Sequence, residues 1–197
     1  KTSESFSHGN TENIKDVTQW SNGKFPEAGY SYLVDAKTLR TPQKNNAGGT
    51  SDPNPGRFLG DTLTLRNNAT LQVRATRVEI NNLYIESLKK ENIITYLSGG
   101  TNTLNGNFYL SSQDPYCLTY ELAQDRTFIH NEKWIGSGKV VLAAGFEDQL
   151  KAPQGTHKMN ATSPDFSGVV HMAYKLTADK KWTKDPSADK PADGTIV

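Results

Sequence analysis

The side chains in this chain that could do nucleophilic, acid–base or metal chemistry are four histidines, one cysteine and a scatter of carboxylates. Their spacing argues against each complete site in turn. His130-Asn131-Glu132 has the His-x-Glu form of a zinc deaminase, but that centre also needs paired cysteine ligands, and Cys117 is alone. Cys117 reads as filler of a small core space. His8, His130, His157 and His171 lack metal-ligand spacing and read as surface imidazoles, with His171 pointing away from the face of Val170 and Met172. Gly138-Lys139 has the ending of a phosphate-binding loop. Val140 follows where Ser or Thr would reach magnesium, however, and Lys133 stands where the earlier glycine belongs. Neither a Gly-x-Ser-x-Gly elbow nor a His-Glu-x-x-His pair occurs. No metal and no cofactor is implied, and no catalytic residue is assigned.

Glu79, Glu86, Glu121 and Asp125, with Arg74, Arg77 and Arg126, are the groups that a sugar-cleaving enzyme could gather on one face. Ion pairs on a solvated surface account for them as well, and that is the reading adopted. Asp179, Asp185, Asp189 and Asp193 lack the spacing of a calcium loop. Aromatic residues offer the other kind of site. Trp20, Tyr30, Tyr32 and Trp134 are the candidate ligand-binding residues, platforms on which a sugar ring stacks while polar neighbours bond its hydroxyls; Trp182 is of the same type. The competing structural reading has Trp20 and Phe25 sealing an open end of the fold and Trp134 packing under a loop. Asn68-Ala69-Thr70 and Asn160-Ala161-Thr162 match the glycosylation sequon, which matters only in a eukaryotic secretory pathway.

The elements that must position these groups are short strands. Of 197 residues, 20 are Thr, 16 Asn and 16 Gly, a composition that favours strands and turns over long helices. The net charge of +1 lacks the positive surplus a nucleic-acid binder needs to displace counterions, so no nucleic-acid partner is expected. No apolar run approaches the roughly 18 residues of a membrane span, so no membrane insertion is expected. One cysteine rules out an internal disulfide. Nothing at Lys1 resembles a signal peptide, which on an exported reading would already have been removed.

Residues 1–57 read as an N-terminal cap segment, with a short strand at 30–34 that sets Tyr30, Tyr32 and Val34 on one face, and an exposed loop over 41–56. From residue 58 to 177 short alternating strands recur, broken at Asn67-Asn68 and Asn81-Asn82. Residues 178–197, with Lys, Asp, Pro and Ala interleaved, read as a linker or tail. Asn105-Gly106-Asn107-Phe108-Tyr109-Leu110, Ser137-Gly138-Lys139-Val140-Val141-Leu142 and Ser167-Gly168-Val169-Val170-His171-Met172 share one form, with glycines 32 and 30 residues apart (106 to 138, 138 to 168). A period near 30 with several strands predicts an all-β solenoid whose coils each cover the apolar face of the next. Phe108, Leu110, Val140, Leu142, Val170 and Met172 would stack inside it. The glycine would serve a positive φ or a close approach of the neighbouring coil, and the asparagines turn bonds or ladders. An antiparallel β-sandwich or jelly roll is the alternative.

Residues 58–176 resemble the right-handed β-helical passenger regions of autotransporter-like and adhesin-like bacterial surface proteins. The resemblance is carried by Arg126-Thr127-Phe128-Ile129, by Trp134-Ile135-Gly136-Ser137-Gly138-Lys139-Val140-Val141-Leu142, and by Asp165-Phe166-Ser167-Gly168-Val169-Val170. It implies a right-handed β-helix of about four coils with an N-terminal cap. It also implies an extracellular or cell-surface location and a role in adhesion or glycan binding, with a glycan or a host or cell-surface protein as partner. Since some β-helices cleave polysaccharides, a lyase or glycoside hydrolase is the first alternative, and a structural spacer or fibre subunit the second. Oligomeric state is left open.

Overall fold

A computed structural model of the chain describes residues 20–21, 24, 26–41, 56–87, 91–96, 100–111, 118–122, 126–144 and 155–173. Most of the loop at 41–56, the tail at 178–197, and Phe25, His8, Cys117, Asp125 and Trp182 lie outside the described residues. Thirteen strands and no helix occur among those described. They are β1 (Ser31–Asp35), β2 (Thr38–Arg40), β3 (Thr62–Arg66), β4 (Thr70–Val73), β5 (Arg77–Glu86), β6 (Asn92–Tyr96) and β7 (Thr101–Ser111). The series continues with β8 (Leu118–Leu122), β9 (Thr127–His130), β10 (Lys133–Gly136), β11 (Lys139–Ala144), β12 (Thr156–Met159) and β13 (Val169–Ala173).

Two parallel sheets result. The first has the order β1-β3-β5-β7-β9-β12, with β10 also on β7; the second runs β13-β11-β8-β6-β4-β2. Every pairing among the named strands is parallel, which the antiparallel sandwich or jelly roll does not allow. Consecutive strands such as β3 and β4 enter different sheets, so the turn at Asn67-Asn68 is a corner and not a hairpin. Both asparagines take the left-handed backbone expected of a tight bend, with φ of 53° and 68°. β1 and β2, which lie within the expected cap segment, pair in register with β3 and β4 and extend both sheets.

The first sheet has two limbs. β5 and β7 are long enough to pass through both, and the change of direction falls at a bulge between Ile80 and Asn82, opposite Gly106. β9 and β12 continue the first limb, and β10 the second. Along the bend runs an asparagine ladder. Asn105 Nδ2 donates to the Val78 carbonyl at 3.0 Å, Asn131 Nδ2 to Asn105 Oδ1 at 3.3 Å, and Asn160 Nδ2 to Asn131 Oδ1 at 3.1 Å. The expected asparagine ladder between neighbouring strands is present.

The core is built from columns of inward side chains at matching register. One column is Tyr32, Leu63, Leu83, Phe108 and Trp134; a second, in the other sheet, is Leu39, Leu71, Ile94, Tyr120 and Leu142. All ten are buried. The glycine-led repeat divides between the sheets. Its second and third copies stack, Val140 on Val170 and Leu142 on Met172, but the first pairs Phe108 with Trp134 in the other sheet. Register offsets therefore run from 20 (Leu63 to Leu83) to 32 (Thr38 to Thr70), and the spacing near 30 is not a constant period. Phe108, Leu110, Val140 and Leu142 are interior as expected, whereas Val170 is exposed because β13 is the outermost strand of its sheet.

Candidate functional site

Three of the four expected platform residues have no open ring face. Tyr32 and Trp134 fall on the inward parity of β1 and β10 and stand in one column with Leu63, Leu83 and Phe108. Trp20 lies edge-on to Tyr32 with ring centres 5.1 Å apart, and Phe58 closes the other side at 5.5 Å. Trp134 packs edge-on to Phe166 at 5.6 Å, while its main-chain N–H donates to Ser163 Oγ at 2.9 Å, so it does sit under a connecting segment. These burials correct the expectation that Trp20, Tyr32 and Trp134 present surfaces to a sugar. Tyr30 alone keeps a surface, at 38% exposure.

The solvent-facing aromatic site is elsewhere, on the second limb of the first sheet. Tyr84 and Tyr109 occupy consecutive outward positions of β5 and β7 and stack nearly flat, 4.5 Å between centres and 9° between planes. Leu83 and Ile85 on one strand, and Phe108 and Leu110 on the other, point into the core on either side, which fixes both tyrosines outward. Tyr109 Oη donates to Asn82 Oδ1 at 3.3 Å, anchoring the lower ring. Above Tyr84 the column continues with Thr64, whose side chain is too short to cover the ring; below Tyr109 it continues with Ile135. Tyr84 is left 40% exposed.

Polar columns flank this stack. Asn82, Asn107 and Lys133 stand on one side and Arg66, Glu86 and Ser111 on the other. Arg66 Nε donates to Glu86 Oε2 at 2.7 Å, a pair that fixes both side chains beside the rings. A sugar ring placed against the exposed side of Tyr84 has donors and acceptors on both flanks. The signal was present as Leu83-Tyr84-Ile85 and Phe108-Tyr109-Leu110, a tyrosine between two inward residues 25 positions apart. A repeat taken from the glycines, with its spacing near 30, passes over it.

Two of the candidate carboxylates, Glu79 and Glu86, are held in ion pairs with arginines. Glu79 lies between Arg57 at 3.9 Å and Arg77 at 3.5 Å on the first limb, and Glu86 pairs with Arg66 on the second. His171 is exposed as expected. His130 and His157 are fully buried, contrary to the surface reading, because Phe128 and His130 share the inward parity of β9 and His157 continues the column of Phe128. Burial, and then the neighbouring His130, push the His157 imidazole down to about 3, against a hydrogen bond to the Ala143 carbonyl that raises it. No group of three or more His, Cys, Asp or Glu side chains suited to holding a metal ion occurs among the described residues.

Compared with protein-family models, curated proteins and solved structures, the chain gives no match.

Proposed function

We propose that the chain is a right-handed β-solenoid with an N-terminal cap, acting as a non-catalytic extracellular or cell-surface module that binds a glycan at Tyr84. The observation that carries this reading is the Tyr84–Tyr109 stack, an exposed aromatic step flanked by polar columns. Aromatic faces attract the C–H side of a sugar ring, while Asn82, Asn107, Arg66 and Glu86 are placed to bond hydroxyl groups at its edge. Arg66 and Glu86 neutralise each other on one flank of the site, and Lys133 stands on the other. Parallel strands in two sheets and the surface-protein resemblance of residues 58–176 support the solenoid and its location.

Screening the full chain on a glycan array, followed by calorimetric titration of the best ligand, tests the reading. Replacing Tyr84 with Ala is expected to weaken binding by about two- to tenfold, since an aromatic contact contributes ~0.5–1.5 kcal/mol. Tyr30→Ala, at the other exposed tyrosine among the described residues, is expected to leave affinity unchanged. The reading fails if the array is blank, if Tyr84→Ala binds as the parent does, or if the captured glycan is cleaved.

A further inference from the structure

Buried between β8, β9, β10, β11 and β12 is a chain of polar groups that the glycan site does not use. His130 and His157 stack 5.3 Å apart at ring centres, and Glu132 is buried with them. Three contacts link them in series. His157 Nε2 meets the Ala143 carbonyl at 3.2 Å, His157 Nδ1 meets His130 Nε2 at 3.0 Å, and His130 Nδ1 meets Glu132 Oε1 at 2.7 Å. Glu132 Oε1 also accepts from Tyr120 Oη at 2.9 Å and from Trp134 Nε1 at 3.2 Å.

Directionality fixes the protons. A carbonyl only accepts, so His157 carries its hydrogen on Nε2. The neutral ring then has a bare Nδ1, and His130 must donate to it from Nε2. One proton is left for the contact between His130 Nδ1 and Glu132 Oε1, whichever atom holds it. The cluster is therefore neutral overall, with every contact along the series satisfied and only Glu132 Oε2 left without a partner. An additional proton on His157 would set two N–H groups head to head across 3.0 Å, in a site closed to water by Tyr120, Phe128 and Trp134.

We propose that this cluster is an acid-sensitive latch: taking up one proton at the His130–His157 pair loosens β9, β10 and β12 while the N-terminal strands stay folded. Among the described residues, the titratable groups of the cluster around His157 are Tyr120 from β8, His130 from β9 and Glu132 just before β10; β11 presents the Ala143 carbonyl. Lys158, its neighbour on β12, is exposed on the opposite parity. The sign follows from His157 being held down to about 3 when folded, against an ordinary 6.5. Between those values the opened form binds more protons than the closed one. Stability at the latch is therefore complete above about pH 6.5 and falls as pH drops towards 3.

Amide hydrogen exchange of the full chain at pH 7 and pH 4.5, corrected for intrinsic rates, tests the latch. The expected result is a loss of protection in β9 and β12 of at least tenfold at the lower pH, with β3 and β4 unchanged. In His157→Gln, whose amide can still donate to Ala143 and accept from His130, this pH dependence should vanish. Nitrogen chemical shifts of the imidazoles give a second readout that needs no variant: His157 should keep a bare Nδ1 at pH 5. Equal protection of β9 and β12 at both pH values, an unchanged pH dependence in His157→Gln, or a doubly protonated His157 in the closed form would each overturn the proposal. Glycan affinity at Tyr84 is not involved, so the two readings fail separately.

Discussion

A Cβ on Gly106 would lie 1.7 Å from the Ile80 carbonyl oxygen, and the residue's φ is +127°. Either fact alone excludes an ordinary side chain there. Together they explain why β7 can turn from one limb to the other without losing its pairing to β5, which makes the same turn by adding Asn81 as a bulge. Gly106→Ala is therefore expected to destabilise the fold by about 3 kcal/mol or more, read as a drop in the urea midpoint. Gly100, with nothing within 4 Å of a hypothetical Cβ, is the control, and Gly100→Ala should change stability by no more than about 0.5 kcal/mol. Equal effects would mean that the bend does not depend on the close approach at Ile80. Of the three glycines in the repeated hexamer, Gly168 meets its neighbouring strand in the same way, 1.9 Å from the Gly138 carbonyl oxygen. The glycine was thus readable as a packing requirement even though the repeat it marks is split between sheets.

At the scale of the strand, inward and outward parity decides what each residue does. Phe108 and Tyr109 are adjacent aromatics on β7, one at the centre of the core column and one on the solvent face. Phe108→Ala should cost about 3–5 kcal/mol in chemical unfolding, and Tyr109→Ala only about 1 kcal/mol from the lost stack. A reversal of that order would contradict the register. Strand existence was legible in the alternating runs at Thr62–Leu65 and Ala69–Val73, but pairing direction was not. Parallel sheets are usually covered on both faces and read as continuous apolar runs; here one face is solvated, so parallel strands carry the alternation typical of antiparallel ones. Parity was equally hidden where both choices are apolar. In Thr127-Phe128-Ile129-His130, turning Ile129 inward would have exposed His130, and only the stacking of Phe128 on His157 decides otherwise. The same ambiguity placed Tyr32 and Trp134 on the surface. A column shared with Leu63, Leu83 and Phe108 emerges only once offsets of unequal length bring the strands together.

Across the whole molecule, each strand has partners only directly before and after it in the stack, so stability should vary with position along the stack. β5 and β7 lie at its middle, flanked on both sides and buried along two limbs. The N-terminal end is closed by Trp20, Tyr32 and Phe58 packed edge to face. At the opposite end, β13 presents Val169 and Val170 to solvent. Native-state hydrogen exchange at neutral pH should therefore rank protection as β5 and β7 first, β1 and β3 next, and β13 last. Because the aromatic closure adds apolar burial that β13 lacks, the gap between β3 and β13 should exceed that between β5 and β3. Trp20→Ala should lower protection in β1 before it touches β7, since only β3 and β5 carry the effect inward. A single exchange rate shared by β1, β7 and β13, with all three responding equally to Trp20→Ala, would mean that the strands open as one cooperative body. Neighbour-to-neighbour stacking would then not describe how this chain holds together.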